Sequence, residues 1–268
     1  MRRRAVILLL SCLTLLGVAT AVAPAASADA GPEYVALGDS YAAGVGAPPD
    51  GVSGACQRSP YSYPALYART RPLTHIACSG ATTTDVLRHQ VEAVTATTDL
   101  VTITVGGNDT GFSPVLTTCS TAAADETCAQ AVRAGEGVAR FALPVGLAAD
   151  YGAIRLRAPQ ARIVVLGYPW LFDETPDCAG VPDQARRVLL NGGADTLNAS
   201  IRRTAARLGA EFVDVRPAFE GHGVCSADPW INGPAAAGAY HPTARGYALG
   251  YFPALVAAAA RPGTNAPA

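Results

Sequence analysis

Leu100-Val101-Thr102-Ile103-Thr104-Val105 is a run of aliphatic and β-branched residues, and Gly106-Gly107-Asn108-Asp109 ends it. A short run without charged residues, stopped by glycines, suits a strand buried on both faces, as in a parallel sheet covered by helices. Working outward, Tyr34-Val35-Ala36-Leu37 is a shorter apolar run stopped by Gly38. Residues 73–78, 162–167 and 211–215 are the remaining strand candidates. Helical stretches alternate with them. Ser59-Pro60 opens one that runs to Arg69, with proline in a first turn. Thr82 caps another through Val94, with Asp85 in its first turn. Residues 127–158 are helical and divided at Pro144, because a proline inside a helix loses a hydrogen bond and clashes. Residues 182–208 form a long helix and 242–260 a terminal one, followed by a Pro/Gly/Ala tail. About five strands alternating with helices predict an α/β protein with a central parallel sheet.

The chain has 268 residues, 50% hydrophobic and 15% charged, with a formal net charge of −1. That suits one domain with a large core and excludes wholesale disorder. A charge near zero supplies no field for nucleic acid or an anionic membrane. Met1-Arg2-Arg3-Arg4 is basic, residues 5–26 are apolar, and Ala26-Ser27-Ala28 has the small-residue pattern of a cleavage site. Residues 1–28 therefore read as a signal peptide cut after Ala28, and 29–268 as a single domain of a secreted, extracellular protein. A membrane anchor is the weaker reading, since the cleavage pattern follows at once and no later stretch reaches membrane-spanning length. A lipobox at Leu9-Leu10-Ser11-Cys12 would have too short an apolar core before it. Cleavage removes Cys12 and leaves Cys56, Cys78, Cys119, Cys128, Cys178 and Cys225. An even count in an exported chain reads as three disulfides, and 15 pairings are open. Neighbours paired in order is the simplest. There is no C-x-x-C pair and no histidine beside a cysteine cluster, so no metal is expected and activity should survive a chelator.

In an open parallel sheet, ligands bind beyond the carboxyl ends of the strands. Gly38-Asp39-Ser40-Tyr41, Ser79-Gly80-Ala81-Thr82 and Gly106-Gly107-Asn108-Asp109 follow the first three strands. Tyr240-His241-Pro242-Thr243 precedes the last helix. Each alone is an ordinary turn or loop. Together they supply what acyl transfer needs: a nucleophile, a base within reach of it, and donors for the developing oxyanion. Ser40 would attack the carbonyl, and His241 would take its proton and return it to the leaving alcohol. The Ser40 N–H, the Gly80 N–H and the Asn108 amide would hold the oxyanion; glycine at 80 keeps a Cβ out of the substrate's way. Asp39 and Asp109 read as structural residues that bond loop N–H groups. His75, His89 and His222 have no catalytic context. No Gly-x-Gly-x-x-Gly or Gly-Lys-Ser/Thr loop supports a nucleotide site.

The blocks Val35-Ala36-Leu37-Gly38-Asp39-Ser40, Ala77-Cys78-Ser79-Gly80-Ala81-Thr82, Val105-Gly106-Gly107-Asn108-Asp109 and Tyr240-His241-Pro242-Thr243 resemble those of the SGNH, or GDSL, hydrolase superfamily. Within it, the chain resembles the secreted lipases and esterases of Streptomyces from Tyr34 to about Pro253. The resemblance implies a flavodoxin-like three-layer αβα sandwich, no cofactor, and hydrolysis of carboxylic esters through a Ser–His acyl-enzyme. It also implies the pairs Cys56–Cys78, Cys119–Cys128 and Cys178–Cys225. Two positions depart from the pattern. Tyr41 stands where the older family name has Leu, and Gly238 stands where the usual Asp-x-x-His has its acid. Asp228 is the nearest upstream acid. Relatives with a Ser–His dyad imply instead that the carbonyl of Gly238 or Ala239 orients the ring, and that is the expectation here. The loops 172–181 and 221–240, with Trp170, Leu171, Phe172, Val181, Trp230 and Ile231, are expected to shape a fatty-acyl cleft. A carbohydrate acetyl esterase or a phospholipase would use the same site, and a non-catalytic binding module is the remaining alternative. The partner expected is a small-molecule or lipid ester, met by a monomer without nucleic acid or stable membrane insertion.

Overall fold

The computed structural model describes residues 33–47, 54–69, 71–175 and 178–261. The segment read as a signal peptide lies outside the described residues. Strands β1 (Glu33–Gly38), β2 (Leu73–His75), β3 (Thr98–Thr104), β4 (Arg162–Leu166) and β5 (Glu211–Val213) form one sheet in the order β2-β1-β3-β4-β5. Every pairing is parallel. The winding reverses between β1 and β3, which is where such sheets open a crevice. The helices are α1 (Ser40–Ala43), α2 (Tyr63–Tyr67), α3 (Thr83–Asp85), α4 (Phe112–Thr121), α5 (Asp125–Phe141), α6 (Leu143–Arg157), α7 (Gln184–Arg207), α8 (Arg216–Phe219), α9 (Ala244–Gly246) and α10 (Phe252–Ala259). α2 packs on α10, and α10 on β4 and β5, while α3 to α7 pack among themselves.

The core explains why threonines sit in the buried run Leu100–Thr104 of the central strand. Val101 and Ile103 are buried, and so are Thr102 and Thr104. Side chains alternate between faces. The Thr102 hydroxyl pairs with the Tyr34 phenol of β1 at 2.7 Å, and the Thr104 hydroxyl with the Tyr63 phenol of α2 at 3.0 Å. Buried polar groups are thereby matched, which removes most of the cost of burying them. Arg162, opening β4, donates to the carbonyls of Ala258, Ala259 and Arg261 at the end of α10 and to the Glu211 carboxylate. It satisfies carbonyls that a helix end leaves without partners. α6 buries Asp150, whose carboxylate oxygens find no hydrogen-bond partner among the described residues. Burial pushes its carboxyl up to about 9, and the Asp109 charge adds to the rise.

Several elements differ from the sequence expectation. The helix expected from Ser59 is only α2, because Ser59 Oγ accepts from Tyr61 N in a local turn while Ser62 Oγ accepts from Ala65 N and caps the helix. Beyond β2 the edge is irregular: Ile76 N and Ala77 N both donate to Ala36 O, and Cys78 N to Gly38 O. The stretch 82–94 begins as α3 with a Thr82–Asp85 capping box, then widens into a π turn over Val86–Gln90 and closes as a 3₁₀ turn. α4 occupies a segment to which the sequence reading assigns no element; Thr, Ser and a proline in its first turn hide its periodicity. The division expected at Pro144 falls at Ala142, which leaves Pro144 in the first turn of α6. The terminal stretch is interrupted by a π turn over Tyr247–Tyr251. Disulfides join Cys56 to Cys78, Cys119 to Cys128 and Cys178 to Cys225.

Candidate active site

Gly38 sets the geometry at the end of β1. Its φ is +121°, and a Cβ there would sit 2.1 Å from the Thr104 carbonyl oxygen, so only glycine fits. The buried Gln90 side chain fastens it: Oε1 accepts from Gly38 N at 2.7 Å and Nε2 donates to Gly38 O at 2.9 Å. Asp39 follows as the cap of α1, its Oδ1 accepting from Tyr41 N at 2.9 Å. Ser40 is the first residue of that turn. It is buried, with 8% of its surface exposed. First-turn N–H groups have no partner inside a helix, so the Ser40 N–H is available as a donor.

Ser40 Oγ lies 2.7 Å from His241 Nε2, across 201 residues of sequence. His241 Nδ1 lies 2.9 Å from Ala239 O. A carbonyl can only accept, so the proton belongs on Nδ1 and Nε2 accepts from the serine hydroxyl. Burial holds the imidazole below its ordinary value, with the Ala239 and Gly238 carbonyls opposing. The backbone before the ring is unusual: Tyr240 is non-glycine at φ +62°. Its N–H donates to Asn232 O, and its carbonyl accepts from the Tyr41 hydroxyl at 2.7 Å. Asn232 also accounts for the His241 carbonyl, through its N–H and its Nδ2. Such strain persists only where neighbours over-determine it, as they do here. Asp228 is not a partner of His241. Its Oδ1 accepts from Arg245 at 2.7 Å and its Oδ2 from Trp230 Nε1 at 3.3 Å.

The three oxyanion candidates are arranged unequally. Asn108 and Ser40 line the same cavity. One Asn108 amide hydrogen is held by Ala81 O at 2.9 Å, which leaves the other. Gly80 opens instead onto a second groove, beside the Cys56–Cys78 disulfide. Its N–H has no acceptor among the described residues. A Cβ at Gly80 would meet nothing within 4 Å, so the left-handed φ of +83°, not crowding, is what calls for glycine. Asp109 accepts from the N–H of Thr83 and from its hydroxyl, tying the third loop to α3.

Tyr168 was not singled out from the sequence. Its hydroxyl donates to Asp39 Oδ2 at 2.5 Å and accepts from Gly107 N at 3.0 Å. One phenol thus bridges the loop that carries Ser40 and the loop that carries Asn108. Its own backbone is clasped by the Asn198 amide. Burial pushes the Asp39 carboxyl up to about 7, against the lowering effect of the Tyr168 and Tyr41 bonds. The signal for Tyr168 was present: it follows β4 as Ser40 and Asn108 follow the strands before them.

The apolar cavity beside Ser40 has a volume of about 90 Å³ and runs among α4, α5 and α7, with Phe112, Val115, Val132, Leu190 and Leu197 in its walls. This corrects the expectation that loops 172–181 and 221–240 shape the cleft; of the residues named for it, only Leu171 lines the cavity. Trp170 donates to Asp195 and lies under Arg216, while Trp230 stacks on His222.

A family model for GDSL-like lipases and acylhydrolases matches residues 36–249. A lipase of Streptomyces rimosus is 43% identical over 93% of this chain and 94% of its own. Lipase 1 of Streptomyces coelicolor is 40% identical over 97% of this chain and 100% of its own. The crystal structure of the extracellular S. rimosus lipase superposes with a TM-score of 0.80 over 85% of this chain and 100% of that one. That of phospholipase A1 from Streptomyces albidoflavus also scores 0.80, at 40% identity, over 84% of this chain and 98% of that one. In sequence and in fold alike, this chain belongs to the GDSL-like lipase/acylhydrolase family and is a carboxylic ester hydrolase.

Proposed function

We propose that the chain is an exported, monomeric serine hydrolase that cleaves fatty-acyl esters through an acyl-enzyme on Ser40. The observation that carries this reading is the 2.7 Å contact between Ser40 Oγ and His241 Nε2 at one end of an apolar cavity. Neutral His241 takes the hydroxyl proton as Oγ adds to the ester carbonyl. The oxyanion is held by the Ser40 and Gly80 N–H groups and the free Asn108 amide hydrogen. The imidazolium returns its proton to the departing alcohol, and water then repeats the sequence on the acyl-enzyme. The Ala239 carbonyl stands where a triad has its carboxylate. It fixes the tautomer and leaves the imidazolium less stabilised than an acid would. Export with removal of residues 1–28 is supported by the three disulfides and by the extracellular S. rimosus relative; no helix among the described residues is long and apolar enough to cross a membrane. Phospholipid esters are a second substrate class, favoured by the phospholipase A1 relative.

Intact mass before and after a fluorophosphonate tests the mechanism. A single adduct mapping to Ser40, on a chain beginning at Asp29 with all six cysteines oxidised, is expected. Ser40→Ala should abolish labelling and lower kcat by about 10⁴-fold or more. A folded wild type that takes no label removes Ser40 as the nucleophile.

A further inference from the structure

The wall of the apolar cavity includes Ser40 and Asn108 but not His241. The leaving alcohol has to stand where His241 Nε2 can protonate it. The half of the ester inside the cavity is therefore the acyl half. The facing surfaces of α5 and α7 leave room for it because they are small: Gly135 and Ala139 on one side, Gly193 and Ala194 on the other. Glu136 also borders the cavity, but its carboxylate is engaged by Arg140 and by the Thr196 hydroxyl.

The two glycines that α5 and α7 bring to the cavity are glycine for different reasons. At Gly135 a Cβ would stand 2.9 Å from the Thr110 carbonyl oxygen, so close packing of α5 on the loop after β3 demands it. Gly193 has no such cause. Its φ is not positive, and a Cβ would meet only Val132 Cγ1, at an ordinary 3.7 Å. It lies inside a helix of 24 residues, where glycine is a poor choice. What a side chain there would occupy is the cavity. We infer that Gly193 is a specificity-determining residue, whose missing side chain sets how long an acyl chain the cavity admits. The inference rests on the reading that Ser40 attacks an ester carbonyl.

The test uses p-nitrophenyl esters from acetate to palmitate on wild type, Gly193→Leu, Gly193→Ala and Gly192→Ala. Gly192 does not line the cavity, and a Cβ there would meet nothing within 4 Å. Gly193→Leu should lower the ratio of kcat/KM for octanoate and longer esters to that for acetate by about tenfold or more. Gly193→Ala should shift the preference the same way by less, while raising the melting temperature by about 2–4 °C. Gly192→Ala should raise the melting temperature similarly and leave the chain-length profile alone. A Gly193→Leu profile parallel to wild type, or a wild type confined to acetate, overturns the inference and leaves the serine hydrolase reading standing. A wild type that hydrolyses no ester in the series overturns both.

Discussion

The Tyr168 hydroxyl serves two loops at once, so its removal has two consequences. Tyr168→Phe leaves the Gly107 N–H and one Asp39 oxygen short of a partner in a buried setting. The Asn108 loop loses its tie to the Ser40 loop, and kcat should fall by about tenfold with KM little changed. The pH profile separates this positioning role from a general loosening. The Tyr168 bond lowers the Asp39 carboxyl, whose value is pushed up to about 7 by burial, so losing the bond raises it further. Tyr168→Phe should therefore lose more stability than wild type as pH rises from about 4 through 7, read as melting temperature against pH. A loss that does not grow with pH would assign Tyr168 to packing alone. In the wild type the acid limb of kcat set by His241 belongs below the ordinary imidazole value, because burial disfavours the charged ring. Tyr168 escaped the sequence reading although it follows a strand, because Gly-Tyr-Pro reads as a turn and a phenol's second partner is a matter of three dimensions.

The elements show where a periodic pattern informs and where it stops. Strands rich in valine, isoleucine and threonine were legible, and so was the long α7. α4 was not, because in Phe112–Thr121 the hydroxyl residues outnumber the apolar ones that would mark a face. Hydropathy spacing also does not distinguish a π turn from an α turn, yet the π turn over Val86–Gln90 carries the side chain that pins Gly38. Gly38 O has a second donor in Cys78 N, whereas Gly38 N donates to Gln90 Oε1. Gln90→Leu should consequently cost about 1–3 kcal/mol, the price of one stranded buried N–H, read as a lower urea midpoint at unchanged m. A midpoint equal to wild type would mean that Gly38 is held by its β-ladder alone. The meeting of Ser40 and His241 was legible only as two suggestive ends of the chain; their contact depends on how the last helices dock on the sheet.

For the molecule as a whole, the buried acids decide the response to pH. Asp39 and Asp150 both have folded values, about 7 and about 9, above the roughly 3.9 of an unfolded aspartate. A group whose folded value is raised contributes stability that is complete below the unfolded value and is lost as pH rises to the folded one. The loss tied to Asp150 accumulates between about pH 4 and pH 9. Asp150→Asn stays neutral throughout. It should melt with wild type near pH 4 and progressively later than wild type toward pH 9. Parallel melting curves across that range would exonerate Asp150.

The proposed base, His241, stands 201 residues beyond the proposed nucleophile. His241 is held by Asn232 and by the Tyr41–Tyr240 bond. The helices after it are anchored through Tyr247 to Val45, through Tyr251 to Gly167, and by the Arg162 clamp. If Ser40 and His241 act as proposed, a polypeptide that contains Ser40 but has not folded the stretch around His241 holds an inert alcohol, since nothing is in place to take its proton. On that reading hydrolytic power depends on both ends of the domain having folded together, and a fragment cut short before His241 should take no fluorophosphonate label.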